Sequence, residues 1–396
     1  MSISTSVSGP GELRMRMVGR LVDAGVIEDG PVAEAMRAVP RHEFVPDAEL
    51  RAAYRDEAVV THRDPDGIAL SSASAPGIVG AMLRQLDVRA GHRVLEIGAG
   101  TGYNAALLDT LVGPDGTVTT VDILPEAVRE ARARLDATGH TTVRVVLGDG
   151  EFGDAAGGPY DRIIVTAGAW DVPASWAAQL APDGLLVVPL RMRGLTRSVA
   201  LRRRGDRWVS EDSAECGFVP IQGAGAVAER NIMLGESSVL LRFDDDRQVR
   251  KAALDEALDR PAHTRWTGVR PPRGEATLDF WLMTLPGFCR VILMDAAFER
   301  GLPRALNAWG SMGAVQAGTF AYLTARGQGD ARELGVCAVG ADGAGLAEGV
   351  AERVRAWDAE RDSRARIEVH PHGGAPENAR WTIDKRHEQV SVILEP

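Results

Sequence analysis

Three glycines at alternate positions, Gly98, Gly100 and Gly102, follow the apolar run Arg93–Ile97, which carries one acidic residue, Glu96. Twenty residues after Gly102 a second apolar run ends in Asp122, and a third closes on Gly148-Asp149-Gly150. The G-x-G-x-G spacing differs from the G-x-G-x-x-G of a dinucleotide site, where a helix N-terminus receives a pyrophosphate. A ligand without phosphate needs bare backbone for close approach and carboxylates for its hydroxyl and ammonium groups. S-adenosylmethionine, a cationic sulfonium with an amino-acid tail, is such a ligand. Asp122 can accept from both ribose hydroxyls with its two oxygens, and Asp149 from the adenine amino group. Any one of these acids is equally explained as a helix N-cap or a turn residue. Three in register at the carboxyl ends of successive strands mark a binding edge.

Those residues need a frame. Strand patterns at 93–97, 117–121, 143–147, 162–166 and 184–188 alternate with helical patterns at 103–111 and 125–137. Short strands separated by helix-length segments argue for a doubly wound, mostly parallel sheet. A hairpin over 197–204 and 207–209 is expected to close its edge. Two helical patterns precede it between 12 and 38, with Asp29 and Pro31 as start signals for the second. Residues 1–11 are small and polar and read as a disordered tail. The loose stretch Cys216-Gly-Phe-Val-Pro-Ile-Gln-Gly-Ala-Gly-Ala226 reads as the end of a catalytic unit spanning 12–225. A second, mixed α/β domain is expected over 226–396, with strands at 238–243, 277–284, 290–294, 319–324, 335–339, 367–370 and 390–394. Its helices are expected at 246–257 and 345–360.

Composition narrows the chemistry. The 396 residues suggest two or three domains at roughly 150 residues each. A net charge of −10 disfavours a broad grip on nucleic acid. After the fourth strand, Val165-Thr-Ala-Gly-Ala-Trp170 lacks the Asn/Asp-Pro-Pro-aromatic tetrad of enzymes that methylate nucleobase amines. Lys251 and Lys385 are the two lysines among 45 basic residues, which makes a Schiff-base mechanism improbable. Cys216, Cys289 and Cys337 form no CxxC pair. His370-Pro-His372 lacks a third ligand at usable spacing and reads as a solvated loop, so no metal is expected. No stretch approaches the ~20 apolar residues of a membrane span, and no secretory signal precedes the first helix, so a soluble cytoplasmic protein is expected. Arg202-Arg-Arg204 reads as a solvated strand edge. Trp266, Trp281, Trp309, Trp357 and Trp381 read as core packing, with a peptide groove between domains as the alternative.

Several segments taken in order resemble the protein L-isoaspartyl O-methyltransferases over residues 13–225. They are Val39-Pro-Arg-His-Glu-Phe-Val-Pro46, Ser74-Ala-Pro76, Val94 to Leu108, Gly148-Asp-Gly150, Tyr160 to Ala167 and Phe218-Val-Pro220. The resemblance implies a Rossmann-like class I methyltransferase fold and methyl transfer from S-adenosylmethionine to a peptide carboxylate. The ester then loses methanol as the next backbone nitrogen closes a succinimide. The expected donor contacts are Glu96, Gly98, Gly100, Gly102, Asp122, Ile123, Asp149, Gly150 and Thr166; the expected acceptor hydroxyls are Ser72 and Ser74.

Two departures accompany the resemblance. Leu70-Ser-Ser-Ala-Ser-Ala-Pro-Gly77 stands where the repair enzymes usually read Gly-Gln-Thr-Ile-Ser-Ala-Pro-His, so the glutamine and histidine become Ser71 and Gly77. The second departure is the extra length after 225. That combination resembles the tailoring methyltransferases of ribosomal peptide pathways (lanthipeptide, graspetide and FxLD-type systems). It implies an aspartate esterified in a modified, cyclised precursor peptide, leading to succinimide or isoaspartate. The alternative is a protein-L-isoaspartate repair enzyme with an appended domain. A third reading is a non-catalytic module that binds S-adenosylmethionine and peptide.

Overall fold

The computed structural model describes residues 9–65, 67–244, 247–271, 277–307 and 310–395. The glycine-flanked run lies inside a ten-stranded sheet. Five of its strands run parallel: Arg144–Leu147, Thr117–Asp122, Arg93–Ile97, Tyr160–Val165 and Leu180–Met192, in that spatial order. Leu195–Arg204 and Arg207–Glu215 follow as an antiparallel hairpin. Successive side chains of a strand point to opposite faces. Val94 accordingly enters one core with the N-terminal helices Pro10–Asp23 and Pro31–Ala38. Leu95 and Ile97 enter another, which continues into the C-terminal half. Burial on both faces explains why these strands read as continuous apolar runs.

A second, antiparallel sheet has seven strands in the order Arg230–Leu234, Val239–Phe243, Phe288–Leu293, Ser311–Gln316, Thr319–Arg326, Glu333–Val339 and His263–Trp266. The helix Gly343–Ala359 packs on it through Ala347, Val350, Val354 and Trp357, in the core shared with the first sheet. The fold is therefore the expected α/β class I methyltransferase architecture with a second α/β unit.

Several expectations change. A single boundary near 225 does not describe the chain's tail. Arg364–His370 pairs with Arg207–Glu215 through Glu368–Val209 and Val369–Trp208, and Gln389–Glu395 and Trp381–Asp384 extend the same sheet. Ile367, Val369, Val390 and Val392 are buried, and the free edge of the hairpin gives them a face to complete. The strand expected over 277–284 is the helix Leu278–Leu282. All five of its residues are buried, so no alternation marks its period. Missed strands Arg230–Leu234, His263–Trp266 and Trp381–Asp384 are sheet edges, where polar residues are common and the pattern is weak. Pro10 and Gly11 belong to the first helix rather than to a tail. Residues 1–8, Trp309 and the start of the helix expected at 246 lie outside the described residues, and that helix is described as Lys251–Ala257. His370 is not in a solvated loop: it is 1% exposed, with Nε2 2.8 Å from Ser391 Oγ. Among the described residues no helix is long and apolar enough to cross a membrane.

Candidate functional site

The turn after Arg93–Ile97 holds Gly98, Gly100 and Gly102 at φ of 102°, 50° and 86°, a region that favours glycine. A Cβ on Gly98 would lie 2.4 Å from Thr166 Oγ1. That hydroxyl donates to the carbonyls of Gly98 (2.7 Å) and Ile97 (3.0 Å), locking the ends of two neighbouring strands together. Gly102 is the N-cap of the helix Tyr103–Val112 and packs against Ala131 and Leu135 of the helix Pro125–Ala137.

Parallel pairing places Val121 beside Ile97, so Asp122 ends its strand next to the glycine turn. Its Oδ2 accepts from the Gly100 N–H (2.9 Å) and its Oδ1 from the Leu124 N–H (3.0 Å). Glu96 is fully buried and accepts from Asn104 Nδ2 (2.8 Å) and Thr120 Oγ1 (2.5 Å). Burial pushes its carboxyl up to about 7, against the opposing pull of those two hydrogen bonds.

The facing wall is the antiparallel pair Val59–Arg63 and Ala69–Ala73, followed by Ser74 and the helix Pro76–Leu86. Its approach is close: a Cβ on Gly100 would lie 3.5 Å from the Ser72 carbonyl oxygen. The serines are not helix caps, since that helix starts from Ala75 without a side-chain cap bond. Arg41, buried in the 39–46 segment, steadies this wall by donating to the carbonyls of Ala53 (2.9 Å) and Ala73 (3.3 Å). His42 Nδ1 lies 2.8 Å from the Tyr54 hydroxyl, a local packing role. The stretch Phe218–Gln222 covers the cavity. It is tied to Gly168 by backbone bonds of 2.8 and 3.0 Å, and Gln222 Nε2 donates to the Leu70 carbonyl at 3.2 Å.

The space between these walls, its open mouth included, is about 930 Å³. Ser72, Ser74, Glu96, Gly98, Gly100, Asp122, Ile123, Gly150 and Thr166 all line it. Gly102 and Asp149 do not. Asp149 caps the turn Gly150–Phe152 by accepting from the Glu151 N–H (3.0 Å) and holds the Ala224 N–H at 2.8 Å. Sequence reasoning missed Asn104 and Thr120, although both follow from the fold: one sits in the first turn after the glycines, the other two residues before Asp122. Gln222 carries no local signal. Among the described residues no group of three His, Cys, Asp or Glu side chains is placed to hold a metal.

A cradle of bare backbone at Gly98 and Gly100, with two carboxylates beside it, fits a cationic nucleoside donor. A family model described as Protein-L-isoaspartate(D-aspartate) O-methyltransferase matches residues 13–226. A protein-L-isoaspartate O-methyltransferase of Methanopyrus kandleri is 44% identical over 212 residues, 53% of this chain and 91% of that protein. Its counterpart in Aeropyrum pernix is 41% identical over 214 residues, 54% of this chain and 80% of that protein. One solved protein-L-isoaspartate O-methyltransferase structure shares the fold at a TM-score of 0.51 and 22% identity, covering 90% of this chain and 96% of its own.

Proposed function

The chain belongs to the protein-L-isoaspartate(D-aspartate) O-methyltransferase family, and from that premise we propose that its cavity holds S-adenosylmethionine against an isoaspartyl carboxylate of a peptide or protein. It is an S-adenosylmethionine-dependent carboxyl methyltransferase, so the reading as a non-catalytic module is set aside. One observation carries the acceptor reading. The donor wall (Gly98, Gly100, Asp122) and the hydroxyl wall (Ser72, Ser74) face each other across a single cavity at the carboxyl edge of the parallel strands.

The bound donor supplies the methyl group on a sulfonium that is its own leaving group. The chain's residues bind and orient. Each Asp122 oxygen takes one backbone N–H and keeps capacity for a ribose hydroxyl. Glu96 would serve the cationic end of the donor, and Ile123 and Gly150 would supply apolar and backbone contacts to its adenine. Asp149, outside the cavity lining, would hold the loop that borders the site. Ser72 and Ser74 offer hydroxyl donors to the acceptor. An isoaspartyl carboxylate, with a reference pKa of about 4, is ionised at neutral pH and needs no general base. What remains is alignment of the acceptor oxygen with the methyl carbon and sulfur, and exclusion of water by Phe218–Gln222.

Esterification of an ordinary aspartate in a cyclised ribosomal precursor is the second reading. The extra length no longer argues for it, because a solved isoaspartate methyltransferase aligns with 90% of this chain. One departure from the usual repair-enzyme sequence remains, at Gly77. The Gly77 N–H donates to Asp56 Oδ1 at 2.6 Å, and a Cβ at 77 would lie 2.6 Å from Asp56 Oδ2. A carboxylate therefore occupies the place where a side chain at 77 would begin, outside the cavity lining.

Methyl transfer followed by mass spectrometry separates the two readings. A linear isoaspartyl peptide should be esterified in preference to a macrocyclic, aspartate-containing precursor. The reverse preference would replace the repair reading with the tailoring one. Ser72→Ala and Ser74→Ala should each raise the peptide KM by about ten- to a hundredfold, the worth of a hydrogen bond to a charged group. Unchanged peptide KM in both would remove the acceptor assignment.

A further inference from the structure

The C-terminal hairpin reaches back to the donor site. Its strands Trp381–Asp384 and Gln389–Glu395 form one edge of the ten-stranded sheet. Three of the four residues between them, Lys385, Arg386 and His387, contact segments at the other strands' carboxyl ends. Arg386 donates from Nη1 to the Ala224 carbonyl (2.7 Å) and from Nη2 to the Ala226 carbonyl (3.1 Å). The His387 N–H donates to Asp171 Oδ2 at 2.7 Å. Lys385 is buried, donates to the Arg191 carbonyl, and places its ammonium 3.5 Å from the centre of the Trp170 ring. The tip is thus anchored on one side by Lys385 and His387 and presents Arg386 on the other.

What Arg386 grips is conformationally weak on its own. Gln222-Gly-Ala-Gly-Ala226 contains two glycines, with Gly223 at φ 77°, and glycine loses more freedom on ordering than any other residue. Gly223 is required by its φ and by close approach, since a Cβ there would lie 2.2 Å from Asp149 Oδ2; a Cβ at Gly225 would lie 2.5 Å from Glu151 Oε2, the end of a flexible side chain. External ties must therefore hold the segment. Asp149 takes the N–H of Ala224, Arg386 takes its carbonyl, and Gln222 reaches Leu70. The same segment supplies Ile221 and Gln222 to the cavity wall, and Asp149 precedes Gly150, which also lines it.

We propose that Arg386 is a positioning residue for the donor site: acting through Ala224 and Asp149, it makes donor affinity depend on a hairpin that lies outside the family-matched segment 13–226. This rests on the assignment of the cavity to S-adenosylmethionine. Arg386 touches neither donor nor acceptor. Its effect belongs in the donor's binding constant, because a loosened wall must be reordered each time the donor binds.

The test is calorimetric titration of the full chain with S-adenosylhomocysteine. Arg386→Ala should raise the Kd about five- to tenfold, less than the full worth of a charge-assisted hydrogen bond because the guanidinium is exposed and acts through the loop, while Tm stays within about 2 °C. Arg386→Lys, which keeps the charge but can reach only one carbonyl, should fall between. In methyl-transfer assays the loss should appear in the donor KM and not in kcat or the peptide KM. Equal affinity of Arg386→Ala and wild type overturns the inference, as does a loss confined to kcat. A wild-type chain that fails to bind S-adenosylhomocysteine would instead remove the donor-site assignment, and this inference with it.

Discussion

Thr166 Oγ1 stands 2.4 Å from the point where a Cβ on Gly98 would lie, and it donates to the Gly98 carbonyl at 2.7 Å. The missing side chain of one residue is the space used by the other. This pairing joins the ends of the first and fourth parallel strands in chain order, and any side chain at 98 would have to displace the Thr166 hydroxyl.

Gly98→Ala should fold but lose donor affinity. Alanine at φ 102° is strained by about 1–3 kcal/mol, and its methyl group would displace the Thr166 hydroxyl. We expect at least a tenfold rise in the Kd for S-adenosylhomocysteine, with far-UV circular dichroism retained. Wild-type affinity in this variant would show that the turn does not contact the donor.

Glu96 links donor binding to pH. Its folded-state carboxyl titrates near 7 against 4.5 for the ordinary group, so between those values the folded chain holds a proton that the unfolded chain releases. This group's contribution to stability is therefore full below about pH 4.5 and declines as pH rises toward 7. A cationic donor favours the ionised form, so affinity should increase from about pH 6 to pH 8, with a proton released on binding below pH 7. Glu96→Gln should bind more weakly and lose that pH dependence. Titrations in buffers of different ionisation enthalpy measure the proton directly, and an unaltered proton count in the variant would refute the linkage.

Lys385 has the opposite sign. Burial lowers its ammonium from 10.5 to about 7; Asp244 and Asp171 oppose the shift and Arg191 adds to it. Between about pH 7 and 10.5 the unfolded chain binds a proton that the folded chain does not, so this group makes stability rise with pH across that window. Lys385→Met keeps an apolar stem against Trp170 and removes the titration. The Tm difference between wild type and Lys385→Met should shift in favour of wild type from pH 7 to pH 9. A constant difference would mean that the ammonium is not desolvated as the structure places it.

Much of the cavity wall was legible in the residues. Gly98, Gly100, Glu96 and Asp122 announced themselves because each is demanded by its own immediate backbone: a positive φ, a close approach, a strand's carboxyl end. The parallel strands were equally plain, since burial on both faces leaves an uninterrupted apolar run. Leu278–Leu282 was misread for the same reason, because five buried residues carry no period to distinguish strand from helix.

By itself, then, the sequence determined the fold class and the chemistry of an S-adenosylmethionine-dependent methyltransferase, because uninterrupted apolar runs, a glycine-rich turn and acidic strand ends are each marked by local residues. Only the tertiary structure decided how the cavity is closed and what each acid does. Asp149 is committed to Ala224, 75 residues away, Gln222 to Leu70 at a separation of 152, and Arg386 to Ala224 at 162. Hydrogen-bond partners so distant in the chain leave no period or spacing to read. They are chosen by which loops the packed sheets bring together, and Asp149, outside the cavity lining, is thereby placed on the Glu151 and Ala224 N–H groups.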